Sequence, residues 1–441
     1  MSTLPQPALF SWKEVEETSE ISRLRRLLDV LPDQSLLDTL EAERAGKRND
    51  YPLHALWRAL LAAVIFGHGS LASLSRELAR NGQLRDLCGF DPLRGDKAVP
   101  PAWVWTRFVA KLLRQQERID ELFQNLVERL SQLLPDFGRD LAIDGKAIGA
   151  WSKLDPEASE GFKNYEGEDE KGDPIQKIQK WFGYKLHLIV DANYELPVAF
   201  ELSGAKEAES PRLMPLIEEL EQKHPALYER IQTLAADRGY DDGHDKATLY
   251  DDHGIVPLID TRDMHGGRMQ ALDSHRHDTI YFSPTGEVSC KVDPFEPEPA
   301  KAFAAMQFQG FEKERGTLKF RCPSAAFGLE CRNREACHCT PSVRDGKYGR
   351  VVRVPLERDR RIFLPAYRHG RGFVEGYKKR TAVERVNSRI DQVYGFERHF
   401  IRGRKKMRLR LGLALLVMLG TAVAWVEMKK PDNVRSLMRV A

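Results

Sequence analysis

Leu411 to Val426, Leu-Gly-Leu-Ala-Leu-Leu-Val-Met-Leu-Gly-Thr-Ala-Val-Ala-Trp-Val, is a nearly unbroken apolar run that must be kept from water. Lys and Arg flank it, yet it is shorter than the roughly 20 residues that span a bilayer as a helix. Gly412, Gly420 and Thr421 suit close packing, so the run predicts a helix buried against a sheet, with a membrane span as the alternative. A chain of 441 residues has material for two or three domains around such a core. The first residues, Met-Ser-Thr-Leu-Pro-Gln-Pro-Ala-Leu-Phe, show no basic segment leading into an apolar one, which predicts a cytoplasmic protein. Without export, the six cysteines do not read as a disulfide framework.

Residues 1–135 carry apolar side chains at helical spacing: Trp12 to Leu31, Gln34 to Ala45, Pro52 to Phe66, Ser70 to Asn81 and two more helices between Pro101 and Leu134. Ser70 is placed to cap its helix. Short helices with Gly turns fit either a bundle or a helix-turn-helix module with Trp103, Trp105, Thr106 and Arg107 on its reading helix. From Arg139 the pattern becomes that of strands. Leu141-Ala-Ile-Asp144 and Ile231 to Ala236 with Asp237 are short apolar runs, each ending on an acid. Between them, Ser152 to Lys180 reads as a charged loop, Phe182 to Val190 and Leu196 to Leu202 as a hairpin, and Ser210 to about Lys223 as a helix. The helix through Lys246 to Tyr250 and a strand Ile255 to Ile259 complete residues 136–260 as an α/β core. Residues 261–370 hold five of the six cysteines with many Pro, Gly and His, and read as an insertion. Residues 371–430 bring a polar-faced helix and the closing apolar one.

That polar-faced helix is Tyr377 to Asp391. At 100° per residue Tyr377, Arg380, Thr381, Glu384, Asn387, Ser388 and Asp391 share one face and Val383, Val386, Ile390 and Val393 the other. Acids closing buried strands stand where open sheets carry their functional groups, and a helix laid across the sheet can bring Glu384 to Asp144 and Asp237. Three converging carboxylates repel unless a cation lies between them, and hard oxygen donors favour Mg²⁺ or Mn²⁺. Two such ions serve phosphoryl transfer. From Arg368 to Arg410 there are 14 Lys or Arg against 4 Asp or Glu, a net charge of +10, which points to a polyanion as partner.

Taken together, Ala142-Ile-Asp144-Gly-Lys146, Trp181-Phe-Gly-Tyr-Lys-Leu-His-Leu188, Ala235-Ala-Asp237-Arg-Gly-Tyr240 and Tyr377-x2-Arg380-x3-Glu384 resemble a DDE transposase of a bacterial insertion sequence, in the branch with a Tyr-x2-Arg-x3-Glu signature. The resemblance runs over about residues 50–427 and implies a ribonuclease-H-like mixed-sheet catalytic core behind an N-terminal all-helical domain for DNA-end binding or dimerisation. It implies Asp144, Asp237 and Glu384 as ligands of two Mg²⁺ or Mn²⁺ ions, Tyr377 and Arg380 as supports, terminal inverted repeats and target DNA as substrates, and a homodimer at the nucleoid. The signature usually continues to a Lys seven residues after the Glu; here that residue is Asp391, which leaves Lys379 or Arg389 for the terminal phosphates. Lys185 and His187 sit two apart on the second strand, placed to touch phosphate or to order the acids. A catalytically inactive, DNA-binding derivative is the alternative. Cys322, Cys331, Cys337 and Cys339, with Cys290 and His338 in reserve, could bind one structural Zn²⁺, or be plain thiols, since no Cys-x2-Cys pair occurs.

Overall fold

Six strands between Asp140 and Ile259 make one mixed sheet: β1 (Asp140–Gly149), β2 (Ser159–Glu168), β3 (Pro174–Asp191), β4 (Leu196–Gly204), β5 (Thr233–Ala236) and β6 (Val256–Ile259). The computed structural model describes residues 19–44, 50–168, 174–264, 266–272, 279–333 and 348–435. β3 is long enough to do two jobs. Its first half pairs with β2, and its second half lies between β1 and β4, antiparallel to both. β1, β5 and β6 are parallel neighbours, and parallel strands need crossovers, which the helices Leu213–Lys223 and Gly243–Asp251 provide. A mixed sheet flanked by helices is consistent with the ribonuclease-H-like core that the resemblance implies.

The expected loop at Ser152 to Lys180 is instead β2 and the start of β3. Phe162 and Ile178 lie on one face of this ribbon and are exposed there, so apolar residues in it do not mark a buried face.

The described residues before Leu134 that form regular structure are helical or 3-10: Ser19–Val30, Gln34–Ala42, Leu53–Ile65, Leu71–Arg80, Gly82–Cys88, a 3-10 stretch Pro92–Ala98, Ala102–Arg114 and Gln116–Leu133. Ser70 caps its helix by accepting the Ser73 backbone N–H at 3.1 Å, and Asn81 caps the next by accepting that of Leu84 at 2.9 Å. Trp105 faces the core and donates its indole N–H to Ser75 Oγ at 3.1 Å, which removes it from any reading surface. Trp103, Thr106 and Arg107 face outward, with the Arg107 guanidinium over the Trp103 ring.

The apolar run lies in the helix Arg404–Glu427, which is long and apolar enough to cross a membrane. Its most apolar window is 89% buried within the protein, against the helices Gln116–Leu133, Ser19–Val30 and Leu53–Ile65 and against β4. A Cβ at Gly420 would overlap Leu27 Cδ1, so glycine there sets how closely two helices approach. N-terminal helices, sheet and closing helix share one continuous core. Residues between Leu272 and Tyr367 form a second core around Phe282, Phe320, Val352 and Phe363, beneath a four-stranded and a three-stranded sheet. Leu416 sits fully buried in the closing helix, so Leu416→Ala is expected to cost about 2–5 kcal/mol, read as a lowered urea midpoint at an unchanged slope.

Candidate active site

In the parallel register of β1 and β5, Leu141 faces Leu234 and Ala142 faces Ala235; two residues further on, Asp144 comes level with Asp237. Asp144 is 8% exposed and accepts the Gly145 backbone N–H at 2.9 Å. Burial pushes its carboxyl up to about 6, helped by the negative charges of Asp237 and Glu209 and opposed by Lys163 of β2. Asp237 leaves β5 as the cap of the turn Arg238–Tyr240, accepting the Gly239 N–H at 2.7 Å. Tyr240, in the same turn, is buried beneath the acids, and burial together with Glu209, Asp144 and Asp237 holds its phenol well above its ordinary value.

Glu209 was not foreseen. It lies between β4 and the helix Leu213–Lys223, in a stretch whose run of charges reads as a connection, and its carboxylate enters the space beside Gly145 and Gly239. Lys185 Nζ stands 3.4 Å from Glu209 Oε1 and donates to the Glu207 carbonyl at 2.8 Å. The one signal that could have found Glu209 is the glycine that follows each aspartate closely, at 145 and 239.

Tyr377 to Asp391 is not one continuous helix. Arg371–Tyr377 is followed by a 3-10 turn, Lys378–Arg380, and then by Thr381–Gln392. Val383, Val386 and Ile390 are buried, as the expected apolar face requires, and this helix packs on β1 and β3. The half-buried Tyr377 stacks on Phe373 and feels the charges of Asp260 and Asp237. Arg380 donates to Glu384 Oε1 at 2.7 Å and lies within electrostatic range of Asp144. Glu384, whose side chain is 47% exposed, is thus held by Arg380 rather than turned onto the aspartates. Among the described residues no group of three or more His, Cys, Asp or Glu stands close enough together to hold a metal ion.

Several residues expected on a DNA surface are engaged inside. His187 is fully buried, bonded through Nε2 to Ser203 Oγ at 2.8 Å, and burial with the charges of Lys185 and Arg212 depresses its imidazole to about 3. It stays neutral and cannot reach a phosphate from there. Lys379 bonds Asp140 at 2.6 Å, while Arg385 and Arg389 both bond Glu195. Asp391, at the position where the resemblance expects Lys, pairs with Lys146 of β1. Arg368 is taken by Asp260, Arg408 by Asp120 and Arg410 by the carbonyls of His68 and Tyr394. The +10 block is therefore not one open basic face. Its exposed cations gather at Arg398, Arg402, Arg404, Lys405 and Lys406, beside an exposed edge-to-face pair of Phe400 and Trp151 at 4.6 Å. Cys290, Cys322 and Cys331 line one small cavity in the insertion, while Cys337, His338 and Cys339 lie outside the described residues.

Residues 135–290 match the family model described as the transposase DDE domain. The match supports a DDE transposase and takes in Asp144, Glu209 and Asp237, ending before the Tyr377–Glu384 segment. No curated protein and no solved structure matches the chain.

Asp144 binds its proton more tightly folded than unfolded, where its value is near 3.8, so the ion-free protein loses stability as pH rises from about 4 through about 6. The full loss is about 3 kcal/mol. Asp144→Asn is expected to melt above the wild type at pH 8 in chelator, with the gap closing toward pH 4; equal melting temperatures at pH 8 would show that Asp144 carries no such burden.

Proposed function

We propose that the chain is a DNA transposase of a bacterial insertion sequence, a nuclease and strand transferase that cleaves the element's ends and joins their 3′-hydroxyls to target DNA. The observation that carries this reading is that Asp144 on β1 and Asp237, just past the end of the adjacent parallel β5, lie close enough for the charge of Asp237 to raise Asp144, inside the segment that matches the transposase DDE domain. Asp144, Asp237 and Glu384 are the residues that would hold two Mg²⁺ or Mn²⁺ ions. The donor set fits: all are carboxylates, and the raised Asp144 value marks a place where positive charge is wanted. Bound there, the cations supply activation of the attacking oxygen and stabilisation of the leaving one.

In this reading the protein's own groups have separate tasks. Asp144 offers its oxygens from the middle of β1, which runs on past it to Gly149, and Asp237 from the turn that follows β5. Arg380 links the site to Glu384 and can pass from carboxylate to phosphate, and Tyr377 buttresses it through Phe373. Arg398, Arg402, Arg404, Lys405 and Lys406 grip the phosphate backbone, with Phe400 and Trp151 offering aromatic faces to bases. Lys379 and Arg389 set the helix in place and meet DNA only where their carboxylate partners release them; Lys185 and His187 order the site from beneath. Two element ends require two active sites, hence a homodimer on DNA, working in the cytoplasm at the nucleoid. Cys322, Cys331, Cys337 and Cys339, with Cys290 and His338 in reserve, are the residues that would hold a structural Zn²⁺, since the described cysteines alone do not stand close enough to hold one.

Asp237→Ala is expected to abolish cleavage of the DNA ends flanking the coding sequence in Mg²⁺ while gel-shift binding to those ends persists; cleavage at the wild-type rate would end the assignment. Arg402, Lys405 and Lys406 changed together to Ala are expected to flatten the dependence of log affinity on log salt by up to about 0.9 per side chain. Protein purified without chelator is expected to carry about one equivalent of zinc, and less than about a third of an equivalent would remove the insertion site.

A further inference from the structure

We propose that the cleft between the helix Ala102–Arg114 and the start of the closing helix binds an unpaired nucleotide of a DNA strand; the inference rests on reading the chain as a transposase that handles DNA. The cleft holds about 450 Å³, within the range of sites that enclose a small molecule. Its interior is aliphatic. Leu60 and Ala63 come from the helix Leu53–Ile65, Leu409 and Leu413 from the closing helix, and Val109 and Ala110 from Ala102–Arg114. Phe400, 55% exposed and edge-to-face with Trp151, stands at its lip.

Charge decides what kind of guest this cleft suits. Among the described residues no Asp or Glu lines it, while Arg402, Lys406 and Arg410 all do. Arg402 and Lys406 are exposed at the lip and have no carboxylate partner among the described residues. Arg410 is desolvated. Its guanidinium donates to the His68 and Tyr394 carbonyls at 3.1 and 2.8 Å and lies over the Phe396 ring, and burial brings it down to about 10. A cation taken from water is ordinarily met by an anion, yet among the described residues only carbonyl dipoles and a ring face meet this one. A fatty carboxylate would answer one cation and leave two. A nucleotide within a strand has a flat, weakly polar base for the aliphatic floor and a phosphate on either side for the cations. In a duplex the base is turned inward to its partner, so only an unpaired one can enter.

The lip is also fixed relative to the acids. The Gly403 and Arg404 backbone N–H groups donate to Asp155 and Glu157, at 2.8 and 2.9 Å, in the connection that follows β1. From Asp144 to Gly149 that strand covers about 17 Å. Such a spacing sets the cleft several nucleotides along a strand from the acids, where a strand parted from its complement needs holding.

The test is fluorescence anisotropy with the full-length protein and three labelled probes: a thymidine oligonucleotide, a strand of the same length and charge without bases, and a duplex. The base-bearing strand is expected to bind about 5- to 100-fold more tightly than the abasic one. Thr106 and Ala110 are exposed on the cleft wall, so Thr106→Leu with Ala110→Leu fills the space without disturbing the core. This double variant is expected to lose the preference for bases while keeping its melting temperature and its affinity for duplex. Ala110→Ser, which leaves the space open, is expected to keep the preference. Equal affinity of the wild type for the base-bearing and abasic strands overturns the cleft and leaves the phosphate grip standing. A preference that survives in the double variant places the base elsewhere and overturns it too. Competition by free thymidine monophosphate as strong as that of the oligonucleotide replaces the strand by a free nucleotide. Absence of binding to all three probes removes the DNA reading itself, and this inference with it.

Discussion

Repulsion between two carboxylates on adjacent parallel strands is the constraint around which this site is organised. β1 and β5 run in the same direction, and their register, continued past Ala142 and Ala235, brings the end of β5 and Asp237 beside Asp144. Near a protein surface a pair of like charges about 4 Å apart costs on the order of 4 kcal/mol, and burial of Asp144 adds desolvation. The structure spreads compensation around the pair instead of neutralising either acid directly. Lys163 approaches from β2, Lys185 from β3 and Arg380 from the turn before the helix, each within electrostatic range of an acid of the cluster. Positive charge at that distance lessens the repulsion yet leaves carboxylate oxygens open toward the middle.

The parts of this arrangement that could be read from the chain are those with a local signature. A short apolar run that stops on an acid marks both aspartates, the spacing of Val383, Val386 and Ile390 gives the buried side of the helix, and Leu411 to Val426 declares its own burial. Other parts depend on partners distant in sequence. Glu209 looks like any charged residue in a connection until Gly145 and Gly239 are folded against it. In the β2–β3 ribbon the apolar Phe162 and Ile178 stand on an exposed face, so apolar positions there give no signal of burial. The basic block misled because counting cations along a chain cannot show which of them meet Asp140, Glu195, Asp120 or Asp260 in the fold.

The second core, between Leu272 and Tyr367, is tied to the loop beyond Asp237 by buried charge as well as by apolar packing. Lys246, fully enclosed, bonds Asp241 and the Arg361 carbonyl, Arg361 pairs with Asp241, and Arg368 reaches both Asp260 and the Ile259 carbonyl. Desolvation brings the Lys246 ammonium down to about 8, a measure of how little water reaches this junction. Buried pairs of this kind are weak sources of net stability but demand one geometry, because breaking a single partner strands a charge. The turn that carries Asp237, the end of β6 and the start of the Arg371–Tyr377 helix are therefore held in mutual register by the segment that interrupts them.

The helix that carries Glu384 is fixed along its length in a comparable way, which limits how Glu384 can approach the aspartates. Lys379 holds Asp140 at one end, Lys146 holds Asp391 at the other, and Arg385 and Arg389 converge on Glu195 in the turn between β3 and β4. Glu195 adopts φ 56°, a left-handed conformation unusual for a residue with a side chain, and glycine would relieve it. Glycine, however, has no carboxylate to give the two arginines, so the strain persists because the helix needs the anchor. With both ends and one side tied to the sheet, and Val383, Val386 and Ile390 packed beneath, sliding the helix toward the site would break several contacts at once. Rotating the Glu384 side chain breaks one, its bond to Arg380, and that bond lies on a half-exposed surface where an ion pair contributes about 0–1 kcal/mol. Under the proposed function, convergence of Glu384 on the aspartates would start from its own side chain and from what draws Arg380 away, a role that the phosphate of the proposed DNA substrate would suit.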